Sequence, residues 1–171
     1  MGNAIFLTGP PGCGKTTVIR NVLARLERKA NGFITQEIRE GGTRKGFKII
    51  TLDGNEGILA HVDLRSTSRI GKYGVDLGAL EDLGVRSLKR ALEESTLAVV
   101  DEIGPMEILS QSFRRVLSEL LDGDVEILGT IVKRSLPFTD EIKVHPSVEV
   151  LEIHPGNRAW MVTHLLALLV N

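Results

Sequence analysis

The stretch "AIFLTGPPGCGKTT", Ala4 to Thr17, decides the fold. Ala4 to Thr8 is a short apolar run of the kind that forms a strand buried on both faces. After the turn, "KTTVIRNVLARLERK" places Val18, Val22, Leu23 and Leu26 at helical spacing. Between the two, Gly9, Gly14, Lys15 and Thr16 fit G-x-x-x-x-G-K-[ST], with a strand before and a helix after, as that pattern requires. At average residue usage a chance match in a chain of this length is on the order of one per cent. Glycines let successive backbone N–H groups curl around an anion, and the helix that starts near Lys15 points its positive dipole end at the same spot. Gly9, Pro10, Pro11, Gly12, Cys13, Gly14, Lys15, Thr16 and Thr17 are therefore read as a phosphate cradle. Pro10 and Pro11 stiffen it, and Cys13 fills space. Lys15 is expected to reach the β- and γ-phosphates, and the Thr16 hydroxyl to ligate Mg2+.

A phosphate loop of this kind works with an acid at the end of a neighbouring buried strand. "LAVVDEIGPME", Leu97 to Glu107, supplies one. The apolar run "LAVV" ends in Asp101, which is expected to hold the metal with Thr16. Glu102 follows directly. Adjacent side chains on a strand point to opposite faces, so Glu102 reaches the γ-phosphate only if the backbone bends there. A carboxylate so placed can orient a water and take its proton. The pair of acids favours hydrolysis over transfer to an acceptor, the alternative being a nucleotide or small-molecule kinase built on the same loop.

The rest of the chain alternates strand and helix patterns, which predicts an α/β fold with a mostly parallel sheet between helices. "GFITQEIREGGTRKGFKIITLDG", Gly32 to Gly54, reads as an inserted β-hairpin around "EGGTRKG", and "GILAHVDL" extends it. Helices are predicted over "LGALEDLGVRSLKRALEE", "EILSQSFRRVLSELLD" and "NRAWMVTHLLALLV", and strands over "VEILGTIVK" and "VEVLEIH". The segment 133–147 has no clear assignment and is read as a long loop. At 171 residues the chain is expected to form one domain, residues 1–171.

Composition narrows the function classes. Charged residues are 25%, hydrophobic residues 42%, and the formal net charge is -1. Nucleic-acid binding is disfavoured by that balance and by an aromatic content of only 4%. One cysteine, Cys13, excludes an internal disulfide and points to a reducing, cytoplasmic setting. The four histidines lack metal-ligand spacing. No apolar run approaches the length of a membrane span. "MGNAIFL" has neither a basic region for a signal peptide nor the Ser or Thr a myristoylation signal needs, since Phe6 stands there. A monomer or weak oligomer is expected, with a nucleotide as substrate and no identified protein partner.

Together, "FLTGPPGCGKTT", the hairpin pattern, "VDEIGPMEI" and Asn157–Arg158 resemble the P-loop nucleoside-triphosphatase family. That family includes thermostable archaeal and bacterial NTPases and the human cancer-related nucleoside-triphosphatase. The resemblance implies a RecA-like three-layer P-loop fold with an inserted hairpin. It further implies slow Mg2+-dependent hydrolysis of ATP, GTP and other nucleoside triphosphates to the diphosphate and phosphate. It maps the nucleotide site onto Gly9 to Thr17 with Asp101 and Glu102, and an element beside the base onto Asn157 and Arg158. One departure is Pro105, where members often have a basic residue.

Three further readings stand on position alone. Thr130, at the end of "VEILGT", is either a γ-phosphate sensor or an ordinary strand-end threonine. Lys133 and Arg134 are read as a solvated pair, with an arginine-finger-like role as the alternative. Trp160 is expected to fill the core beneath the last helix.

Overall fold

The computed structural model describes residues 3–169. Its strands form one nine-stranded sheet in the order β5-β6-β4-β3-β2-β7-β8-β1-β9. They are β1 (Ala4–Thr8), β2 (Ala30–Glu40), β3 (Thr43–Thr51), β4 (Glu56–His61), β5 (Arg69–Ile70), β6 (Tyr73–Val75), β7 (Leu97–Ile103), β8 (Ile127–Ile131) and β9 (Val148–Glu152). The segment β2-β7-β8-β1-β9 is parallel throughout, and β3 to β6 continue it antiparallel. This is the expected α/β P-loop, RecA-like architecture with its hairpin, β2–β3. The hairpin turns at Gly41–Gly42, with φ +58° and +78°. Both turn residues of a tight hairpin of this hand need positive φ, which glycine supplies without strain.

The helices are α1 (Lys15–Arg25), α2 (Leu77–Ala79), α3 (Arg86–Glu94), α4 (Gln111–Asp122), α5 (Pro137–Lys143) and α6 (Arg158–Leu169). Parallel strands are covered on both faces, so side chains of one strand serve two cores. In β1, Ile5 and Leu7 pack with Val18, Ile19 and Val22 of α1 and with Met161 and Leu165 of α6. Ala4 and Phe6 belong to the other core, with Leu88 of α3 and Phe113 and Leu117 of α4. Phe33, Phe113, Leu88 and Leu117 are fully enclosed. Truncating Phe113 to alanine is worth about 3–5 kcal/mol of stability. α4 starts where Ser110 accepts a hydrogen bond from the Phe113 amide, the Ncap arrangement, while its own hydroxyl donates to Glu81.

Several expectations need correction. The helix predicted over "LGALEDLGVRSLKRALEE" is broken by a π-helical segment, Leu80–Val85, between α2 and α3. Gly84 sits there against Phe33, Ile49 and Leu80, where a β-carbon would press on all three. Segment 133–147 is not a structureless loop: it holds α5, which has Pro137 in its first turn and buries Thr139 and Ile142. Residues 69–75 form the short strands β5 and β6, which no sequence pattern announced. The strand pattern after "LAVV" runs on to Ile103, so Asp101 is not its last residue. Trp160 is not in the core: it is 59% exposed and stacks on His164, with ring centroids 4.6 Å apart. Val170, assigned to the last helix, and Met1 and Gly2 of the opening "MGNAIFL" lie outside the described residues.

Candidate active site

The carboxyl ends of the parallel strands carry the site. β1 runs into the loop Gly9–Gly14, and α1 begins at Lys15. No side chain caps α1, and its Ncap residue Gly14 is left-handed at φ +97°. First-turn amides without a side-chain partner are anion donors, so the helix opens on the loop with its own N–H groups. Gly14 is needed for a second reason. A β-carbon there would come within 2.6 Å of Cδ and 2.8 Å of Nη1 of Arg158, whose side chain lies across the loop. Cys13 is buried and its amide donates to the Pro10 carbonyl, closing a turn within the loop.

Lys15 and Thr16 face the two acids. The Thr16 hydroxyl donates to Oδ2 of Asp101 at 2.9 Å. The Thr130 hydroxyl donates to Oδ1 at 2.7 Å, and the Thr35 amide to Oδ2 at 3.4 Å. Asp101 is only 2% exposed. Burial pushes its carboxyl up from the usual range, and the hydroxyls of Thr130 and Thr16 pull it back by stabilising the charge. The strand phase explains the placement of Asp101. Leu97 and Val99 of β7 face the α1 side, and Asp101 is next on that face.

Strict alternation would send Glu102 to the opposite face. Instead, the β7–β8 ladder shifts register between Val100 and Ile103. Oε2 of Glu102 lies 3.7 Å from Nζ of Lys15, which also donates to the Gly9 carbonyl at 2.9 Å. Burial raises the Glu102 carboxyl, Lys15 opposes that rise, and the charge on Asp101 adds to it. The two neighbouring acids thus both face the phosphate loop, each against a different partner.

The other candidates are placed as follows. Thr130 is fully buried, and its hydroxyl is engaged by Asp101. Asn157 holds the turn before α6: its Oδ1 accepts from the His154 amide and its Nδ2 donates to the Glu152 carbonyl. Arg158 is the member of that pair that reaches the loop. Lys133 pairs with Glu152 at 2.8 Å, both side chains more than half exposed. Three contributors went unread in the sequence: the Thr35 amide, the Arg158 contact with Gly14, and Glu107, an acid 4% exposed near Glu102. An isolated acid in a helix-like run signals nothing by type. Only its tertiary surroundings single it out.

Thr16 and Asp101 are hard oxygen donors already joined at 2.9 Å beside the loop, a pairing that suits Mg2+ better than a soft metal. Among the described residues no group of three or more His, Cys, Asp or Glu could hold a metal ion. Also among those residues, no helix is long and apolar enough to cross a membrane.

The chain is similar to known proteins over nearly its whole length. A family model described as NTPase matches residues 4–166. Nucleoside-triphosphatase THEP1 of Thermotoga maritima is 50% identical over 165 residues, 96% of this chain and 94% of that protein. THEP1 of Methanothermobacter thermautotrophicus is 36% identical over 169 residues, 96% and 95% of the two chains. The crystal structure of THEP1 from the hyperthermophile Aquifex aeolicus superposes with a TM-score of 0.91 at 34% identity, covering 98% of this chain and 99% of that one. The solution structure of a human cancer-related nucleoside triphosphatase gives 0.81, also at 34% identity, over 98% and 97%. On sequence and fold together, the chain belongs to the NTPase family.

Proposed function

We propose that this protein is a nucleoside triphosphatase that hydrolyses ATP, GTP and other nucleoside triphosphates to the diphosphate and phosphate. The observation that carries the reading is the position of Glu102, on the Lys15 side of the loop and separate from the Thr16–Asp101 pair. The loop amides and Lys15 bind the β- and γ-phosphates. Arg158, lying on Gly14, adds positive charge at the same loop. Thr16 and Asp101 would hold Mg2+, which when bound supplies charge neutralisation at the phosphate oxygens. Thr130 keeps Asp101 oriented.

Glu102 orients a water molecule in line with the γ-phosphorus and accepts its proton. The water oxygen bonds to phosphorus as the bond to the β–γ bridging oxygen breaks. Lys15 stabilises the charge that gathers on the phosphate oxygens. A kinase would bring an acceptor hydroxyl to this position. The Glu102–Lys15 arrangement and the names of the relatives both favour water. The loop after β1, Asp101 and Glu102 of β7 and Thr130 of β8 all lie at the carboxyl ends of one sheet, which supports reading residues 1–171 as one domain. The single buried thiol fits a cytoplasmic setting.

Phosphate release from ATP, GTP, CTP and UTP, with Mg2+ and no acceptor, tests the reading. Release from several of them is expected. Glu102→Gln should still bind ATP and lose roughly 10²-fold or more in turnover. Release that depends on an added acceptor would replace hydrolysis with phosphoryl transfer, and full turnover by Glu102→Gln would remove Glu102 as the base.

A further inference from the structure

Glu107 opens the 3-10 turn Glu107–Leu109 and is buried, yet the hydrolysis scheme gives it no part. Burial and the charges on Glu102 and Asp101 push its carboxyl well above the usual range, and the backbone amides of Glu107 and Gly104 oppose that rise. What it faces is Glu102. A β-carbon built on Gly104 would lie 2.6 Å from Oε1 of Glu102 and 3.1 Å from Oε1 of Glu107. Both carboxyl tips therefore converge on one spot, and they are no farther apart than those two distances laid end to end. That upper limit is within the reach of a single bridging water. The oxygens of Glu102 are divided between two neighbours: Oε2 looks to Lys15 and Oε1 to Glu107.

We propose that Glu107 is a positioning residue, whose buried carboxyl holds Oε1 of Glu102 so that Oε2 is presented to the attacking water beside Lys15. The proposal rests on Glu102 being the base. Two ionised carboxylates this close repel, and a proton on one of them turns the contact into a hydrogen bond. Burial and the charge on Glu102 push the Glu107 carboxyl well above the usual range, and the Lys15 ammonium lies 3.7 Å from Oε2 of Glu102. Glu107 is thus the donor and Glu102 the acceptor. Gly104 belongs to the same device, because a methyl group there would press on both carboxyls.

Steady-state ATP hydrolysis by Glu107→Leu, Glu107→Gln and Gly104→Ala, each also made with Glu102→Gln, tests this. Glu107→Leu and Gly104→Ala should lose roughly tenfold or more in kcat, the scale of a misplaced catalytic group, with KM nearly unchanged. Glu107→Gln keeps a hydrogen-bond donor and should retain most of kcat. With Glu102→Gln present, Glu107→Leu should cost nothing further. Wild-type kcat in Glu107→Leu, equal damage from Glu107→Gln, or losses that multiply with Glu102→Gln would each overturn the proposal. If Glu107→Leu fails to fold, judged by circular dichroism, Gly104→Ala carries the same test with every functional group intact. Full activity of Glu102→Gln alone defeats the base assignment. Inactivity of Glu102→Gln beside a fully active Glu107→Leu defeats only the positioning role.

Discussion

Thr130→Val removes one hydroxyl and keeps the shape of the side chain. Thr130 is fully buried and Asp101 is 2% exposed, so no solvent can replace the lost donor at Oδ1. Hydrogen bonds to charged groups contribute about 1.5–3 kcal/mol, and a buried acceptor left without its partner costs in that range. For a chain of this size that corresponds to a fall of roughly 3–12 °C in Tm. Asp101 retains its bonds from Thr16 and the Thr35 amide, so the fold should survive. Thr130→Ser separates hydrogen bonding from packing. It keeps the hydroxyl and loses one buried methyl, worth about 0.8 kcal/mol. Differential scanning calorimetry should therefore rank wild type, Ser, then Val in descending stability. Activity should follow the same order, with Thr130→Val needing more Mg2+ for half-maximal turnover, since the hydroxyl orients the carboxylate that would hold the ion. A valine variant as stable as wild type, or a serine variant less stable than valine, would refute a hydrogen-bonding role for Thr130. An unchanged Mg2+ requirement with lowered kcat would instead return it to the γ-phosphate.

Lys15→Ala should lose most nucleotide affinity and turnover, as measured by ATP binding and phosphate release; wild-type turnover would remove the phosphate-loop assignment. Trp160, the only tryptophan, should be quenched readily by acrylamide in the native protein, because it is exposed on α6; a quenching rate typical of a buried indole would contradict its placement. Glu107 also predicts a pH dependence of stability, in surroundings that include Glu102, Asp101 and Lys15. Its folded carboxyl titrates above its unfolded value, so its contribution is full below the ordinary glutamate range and declines as pH rises toward the raised value. Glu107→Gln has no such decline, and its stability relative to wild type should grow with pH by at most about 1.4 kcal/mol per unit through that window. Parallel stability curves in urea titrations would show that the carboxyl is not raised.

Much of the site was legible because residue type and local chemistry coincide there. The loop Gly9–Thr17 needs glycines, a lysine and a hydroxyl at fixed spacing, and a buried strand that meets an acid at Asp101 declares itself by contrast. Glu102 was legible only as a condition. The pattern "VVDEI" gives no sign of the register shift that turns its carboxylate toward Lys15. Glu107 stood in the quoted motif without a role: its neighbours suit a helix, and nothing in the sequence announces that it is buried at the start of a 3-10 turn. α5 could have been found from Pro137 followed by Phe138 and Ile142 at helical spacing, but seven residues give periodicity little to work with. The π-helical segment depends on the fit of Gly84 against Phe33 and Ile49, strands far away in the chain.

β8 lies between the strand that feeds the phosphate loop and the strand that carries the acids. Two ladder steps set β1 and β7 roughly 10 Å apart. That span is a gauge: it sets the distance between the loop after β1 and the acids of β7, and it is fixed by backbone spacing rather than by any side chain in the site. Gly129 of β8 keeps the gauge tight, since a β-carbon there would fall 2.2 Å from the Val100 carbonyl. Residues on either jaw can therefore change the chemistry while the opening between them stays the same width.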